Sequence, residues 1–159
     1  MSYVFCSEND NSYKYEKKII SVLEQYLSNL DNKNPKGMLE HITIPLNLHF
    51  GSEKVVTIKS NKEFDTVFNN WKISNMSKFF STKIKSIKVE PTWVVNNLYA
   101  VADVTYDRLN ENGNVLRTER ALYHFVKGNG YYSNPFKFIW TYLTRWISKW
   151  KIYMISNIE

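Results

Sequence analysis

Asp103 interrupts an otherwise apolar run, Tyr99-Ala100-Val101-Ala102-Asp103-Val104-Thr105-Tyr106. A carboxyl drawn out of water there would have a raised pKa and could take a proton as a general base. Alternation offers a second placement. Ala100, Ala102, Val104 and Tyr106 form the natural core face, which puts Asp103 on the other with Tyr99, Val101 and Thr105. There a basic residue such as Arg120 could pair with it across the sheet. His124 alternates with Leu122 and Val126, so it lines either the core or a cavity. Tyr15 and Tyr26 lie on the inner stripe of the first helix. Asp103, His124 and Tyr15 are therefore the candidate acid–base residues. Trp71, Trp93, Phe50 and Tyr26 are the candidate walls of an apolar ligand site.

Other chemistries find little footing. The histidines His41, His49 and His124 are far apart, and no carboxylate stands beside them at a metal-ligand spacing. There is no Gly-x-Ser-x-Gly nucleophile motif and no glycine loop to cradle a phosphate. Neither a metal nor a cofactor is expected.

The elements that must position these residues belong to a chain of 159 residues, enough for one domain and one core. Five Trp, eleven Tyr and nine Phe supply surface whose burial offsets chain entropy, which argues against disorder. Cys6 is the lone cysteine, so no intrachain disulfide framework can form. The formal charge of +6 would permit an anionic partner, but the lysines are scattered rather than gathered in a stripe. Nucleic acid is not expected as a partner. Ser7 to Tyr13 is polar, without the apolar stretch of a signal peptide, and no segment is apolar enough to span a bilayer. A cytoplasmic protein is expected, with roughly residues 1–10 as a flexible lead-in.

Tyr15, Ile19, Val22, Leu23, Tyr26, Leu27 and Leu30 recur at helical spacing and predict a helix from about Ser12 to Leu30. Asn34-Pro35 reads as an N-cap and helix start, opening a short second helix to about His41. Pro45–Phe50 and Val55–Ile58 flank a glycine turn and predict a hairpin. Ser60 and Glu63 have capping-box spacing at the head of a third helix, whose inner face is Phe64, Val67, Phe68 and Trp71. Strands follow at Ile84–Val95, Leu98–Tyr106, Val115–Lys127 and Trp150–Asn157, with Asn112-Gly113 as a hairpin turn.

That order resembles the NTF2-like superfamily, including SnoaL-like and ketosteroid-isomerase-like proteins. The likeness rests on Ile42-Thr43-Ile44-Pro45 leading into Val55-Val56-Thr57-Ile58, on the capped helix Ser60 to Trp71, and on the terminal Trp150-Lys151-Ile152. The resemblance implies an α+β cone: three helices packed on a strongly curved antiparallel sheet. Members of that group include isomerases, dehydratases, binding proteins and association domains, so the fold leaves function open.

The segment from Tyr131 to Lys149 is read as an aromatic-rich insertion, spanning about 128–149, before the last strand. Phe136, Ile139, Trp140, Leu143, Trp146 and Ile147 fit a helical stripe; Phe136, Phe138, Trp140 and Tyr142 fit an extended one. It could pack in the core, meet another subunit, cap the cone or touch a membrane, the last being the least favoured. The reading at this level is a single domain over 1–159, homodimeric, binding a small hydrophobic ligand in its cone or serving in association. The alternative is a cofactor-independent isomerase, dehydratase or lyase.

Overall fold

The computed structural model describes residues 8–50, 54–74, 77–89, 99–128 and 149–158. Helix α1 (Glu8–Asp31) starts four residues ahead of the expected Ser12. Its stripe of Ile19, Leu23, Tyr26, Leu27 and Leu30 is buried throughout, so the apolar spacing seen in the sequence is the face that covers the sheet. The helix stops where Lys33 turns left-handed, with φ of 53°.

Helix α2 (Pro35–Leu39) begins as its cap residue requires: the Asn34 side-chain oxygen accepts from the Gly37 amide at 3.2 Å. A β-carbon at Gly37 would stand 1.9 Å from Oδ1 of Asn29, so a larger residue there would displace the Asn29 and Asn34 side chains, which bond one another between α1 and α2. Strand β1 (Ile42–Phe50) and strand β2 (Lys54–Ile58) pair antiparallel, and β1 begins three residues before the expected Pro45. Helix α3 (Asn61–Ile73) opens on a capping box. Ser60 Oγ accepts from the Glu63 amide, and the Glu63 carboxylate accepts in return from the Lys59 amide at 2.6 Å.

The remaining strands are β3 (Ser81–Val89), β4 (Tyr99–Leu109), β5 (Val115–Lys127) and β6 (Trp150–Ile158). They form one sheet with β1 and β2 in the order β2-β1-β6-β5-β4-β3. The expectation of a wholly antiparallel sheet needs correction: β1 and β6 run parallel. They come from opposite ends of the chain, so no short turn dictates their relative direction. β6 is fixed instead by its antiparallel partner β5, and its free edge receives β1. The chain leaves β5 and enters β6 at neighbouring points, since the Gly128 amide donates to the Lys149 carbonyl at 2.9 Å. The intervening 129–148 lie outside the described residues, and with them the choice between helix and hairpin for Tyr131–Lys149.

Register sorts the side chains of β4 and β5 onto two faces. Ala100, Ala102, Val104, Tyr106 and Arg108 face the helices with Phe125, Tyr123, Ala121, Glu119 and Arg117. Val101, Asp103 and Thr105 share the outer face with His124, Leu122 and Arg120. Gly113, at φ of 78°, makes the turn between the two strands.

Candidate functional site

Between the helices and the inner face lies a cavity of about 120 Å³. Its walls are mostly apolar: Leu30 from α1, Met38 from α2, Leu46 and Leu48 from β1, and Phe64, Phe68 and Trp71 from α3. One wall is polar, built by Tyr26 of α1 and by Tyr106, Arg108, Arg117, Glu119 and Tyr123 of the β4–β5 hairpin. Tyr26, Tyr106 and Tyr123 are buried, while Leu48, Val67, Trp71, Arg117, Glu119, Ile155 and Asn157 are half-buried and mark the mouth.

Arg108 organises the polar wall. Its side chain is 6% exposed, and its Nε donates to Oε2 of Glu119 at 3.1 Å. Nη1 donates to Thr82 Oγ1 and stands 3.8 Å from Oδ1 of Asp31. Asp31 accepts from the Thr82 amide at 2.8 Å, which ties the end of α1 to β3. The guanidinium carbon lies 4.1 Å from the centre of the Phe79 ring, and the Lys33 ammonium lies 3.7 Å from that same ring. A buried cation with carboxylate, hydroxyl and aromatic partners is a fixed structural charge, suited to holding Glu119 in place.

Burial would push the Glu119 carboxyl up, but the hydrogen bond from Arg117 and the charges of Arg108 and Arg117 outweigh it. They hold it below the usual carboxylate range. Glu119 is therefore ionised and can only accept hydrogen bonds. Burial and the Glu119 carboxylate push the Tyr106 hydroxyl up while the Tyr123 hydroxyl draws it down, so the two phenols and the carboxylate act on one another along this wall. Burial pushes the hydroxyls of Tyr26, Tyr106 and Tyr123 well up, so all three keep their protons at neutral pH. The Tyr26 ring meets Tyr123 edge-on, with centres 6.2 Å apart. The arrangement supplies a proton donor and fixed dipoles beside an apolar space. Among the described residues its one carboxylate, Glu119, is held by two guanidiniums.

The residues singled out from the sequence divide around this cavity. Tyr26 and Trp71 line it. Asp103 does not: it lies on the outer face, where Arg120 donates to its two oxygens at 2.9 and 2.5 Å. That hydrogen bond from Arg120 holds the Asp103 carboxyl below its ordinary value, the opposite of what a base in an apolar cone needs. His124 is corrected in the same way. It is the outer neighbour of the inward-facing Tyr123 and Phe125, with its ring 6.0 Å from Tyr153 and burial pushing its pKa down. Tyr15 packs edge-on against Trp150 at 6.4 Å. It sits three helical turns from Tyr26, about 16 Å along α1, too far to share a site. Phe50 ends β1, where its backbone alone is described, and Trp93 lies outside the described residues. Among the described residues no three His, Cys, Asp or Glu side chains gather as a metal ion requires.

Arg108, Arg117, Glu119 and Tyr123 went unnoticed, yet a signal existed. Continuing the two-residue alternation past Tyr106 puts Arg108 on the core face, and reflecting it through Asn112-Gly113 puts Arg117, Glu119 and Tyr123 opposite.

No protein-family model and no curated protein matches the sequence. Solved structures do match its shape. An NTF-2 like protein of unknown function from Shewanella oneidensis superposes with a TM-score of 0.57 at 13% identity, over 91% of this chain and 98% of that one. The fold is NTF2-like. A protein of unknown function with a cystatin-like fold from Nostoc punctiforme gives 0.60 at 13% identity, over 89% of this chain and 88% of its own. A candidate ketosteroid isomerase from Shewanella frigidimarina gives 0.58 at 10% identity, over 87% and 92%. At these identities the likeness fixes the NTF2-like architecture and nothing about chemistry.

Proposed function

We propose that the cone binds a small, single-ring molecule carrying one hydrogen-bond acceptor. The supporting observation is the cavity itself: apolar walls on all sides but one, and that one rich in protonated donors. Its volume of about 120 Å³ is close to the roughly 150 Å³ at which an apolar protein cavity takes up benzene. It is well below the roughly 300 Å³ where pockets for drug-sized molecules begin, which argues against a four-ring ligand. The ring would lie among Phe64, Phe68 and Trp71, with its acceptor toward Tyr26. Acetophenone is a fitting probe, followed by saturation-transfer NMR on the intact protein. Saturable binding to the native chain, lost in Val67→Trp where the indole fills the mouth, supports the reading. Absence of saturable binding to the native chain rules it out.

A second reading, a cofactor-independent isomerase or dehydratase, draws on the convergence of Tyr26, Tyr106, Tyr123 and Glu119 at one wall. The depressed Glu119 pKa weighs against it, because a carboxylate stabilised by two guanidiniums is a feeble base. Turnover that disappears in Glu119→Gln while ligand affinity persists would favour this second reading.

A further inference from the structure

Among the described residues, the exposed large apolar side chains are Val55, Ile73, Phe80, Val115 and Leu116. Single exposed hydrophobes are ordinary, but all of these except Val55 belong to one end of the cone. Ile73, 84% exposed, closes α3; Phe80, 62% exposed, leads into β3; Val115 and Leu116, 56% and 48% exposed, open β5. Hydrogen bonding brings these segments side by side. The Phe80 amide donates to the Leu109 carbonyl at 2.7 Å, and Leu109 pairs with Val115 across the hairpin. Ser77 Oγ donates to the Lys72 carbonyl at 2.6 Å, which holds the approach to Phe80 against the last turn of α3.

The cavity reaches this end as well. Trp71, Phe79 and Arg117, which line the cavity, are close chain neighbours of Ile73, Phe80 and Leu116. Within these segments the charge is mostly positive, although Glu24 and Asp31 of α1 line a hollow beside Phe80 and Lys83. Lys72, Lys78 and Lys83 are exposed in these segments, and Glu111 is the sole carboxylate from 72–74, 77–83 and 109–117.

We propose that this end of the cone docks on an anionic lipid surface. Ile73, Phe80, Val115 and Leu116 would enter the interfacial layer, and Lys72, Lys78 and Lys83 would meet the headgroups. Two features favour lipid over a protein partner. The apolar side chains project from a helix end, a strand lead-in and a hairpin, as separate prongs. Exposed lysines stand among them, whereas the cores of protein interfaces are depleted in lysine. The inference goes beyond the cavity reading and does not depend on what the cavity holds.

Co-sedimentation of the intact protein with lipid vesicles tests it directly. Partition onto phosphatidylcholine vesicles with about 30% phosphatidylserine should exceed that onto pure phosphatidylcholine by roughly tenfold or more, and should weaken with salt. Ile73→Ser/Phe80→Ser should abolish partition without lowering the unfolding midpoint, since both side chains already face water. Lys72→Glu/Lys78→Glu should abolish it while keeping the apolar prongs. Equal sedimentation with both vesicle types, or none with either, overturns the proposal. So does retention of binding in both double variants. Concentration-dependent self-association that Ile73→Ser/Phe80→Ser abolishes, without vesicle binding by the native chain, would instead make this face a contact between copies and would equally overturn it.

Discussion

Arg108 Nε lies 3.1 Å from Glu119 Oε2, and the two side chains are 6% and 22% exposed, so the pair is shielded from water on the inner face of the sheet. The two are diagonal neighbours on one face of the β4–β5 hairpin, two rungs apart, where Tyr106 opposes Glu119 and Arg108 opposes Arg117. Their contact therefore depends on the register that the Asn112-Gly113 turn sets. It also joins α1, through Asp31, to β3, β4 and β5.

Removing the guanidinium should be costly because it strands charge rather than because the pair is strongly favourable. Arg108→Ala leaves Glu119 and Asp31 without their buried cation, and a loss of about 3–5 kcal/mol in urea unfolding is expected. Arg117 also bonds Glu119 but is 34% exposed, so Arg117→Ala should cost less than about 1 kcal/mol. Arg108→Leu/Glu119→Leu should regain part of the loss by removing both charges together. A double variant no more stable than Arg108→Ala would mean that lost packing on Phe79 and Tyr106 dominates.

The pH dependence of stability should carry the mark of His124. Burial lowers its folded-state pKa from the ordinary value of 6.5. Below 6.5 the unfolded chain binds a proton that the folded chain refuses, so stability falls as pH drops from 6.5 toward the folded pKa and is complete above 6.5. His41, also lowered by burial, acts in the same direction. Glu119 and Asp103, both held below the ordinary carboxylate range, add stability that is lost only at more acid pH. His124→Phe keeps an aromatic edge against Tyr153 and should flatten urea midpoints across the mildly acid range. An unchanged slope would place the proton uptake elsewhere.

The architecture was legible because it is written in periodicity and punctuation. The α1 stripe, the Asn34 and Ser60 caps and the Asn112-Gly113 turn each act locally, and each stands where the residues place it. The parallel pairing of β1 with β6 was not legible, since it joins segments with no shared turn. The site was half legible for a related reason. Asp103 drew notice as a carboxylate in an apolar run, but the alternation that clears it from the cavity was equally visible in Ala100, Ala102 and Val104. Arg108, Arg117 and Glu119 were overlooked because charged residues near a hairpin turn usually face water. Here the sheet curves over them, and curvature has no signature in a sequence of alternating residues.

Recognition within the cone should separate cleanly by face. Tyr26 lines the cavity and keeps its proton, because burial pushes its hydroxyl well up. In the proposed reading its phenol donates to the ligand's acceptor. Tyr26→Phe should therefore weaken acetophenone binding by about threefold to tenfold, the usual worth of one neutral hydrogen bond. Toluene fills the same space without an acceptor, so its affinity should not change. Asp103→Asn removes the charge that Arg120 grips on the outer face and should leave both affinities as they were. Ligand-observed NMR titrations of the native chain and the two variants decide the matter. A loss of acetophenone affinity in Asp103→Asn equal to that in Tyr26→Phe would show that the outer face, and not the phenol wall, governs binding.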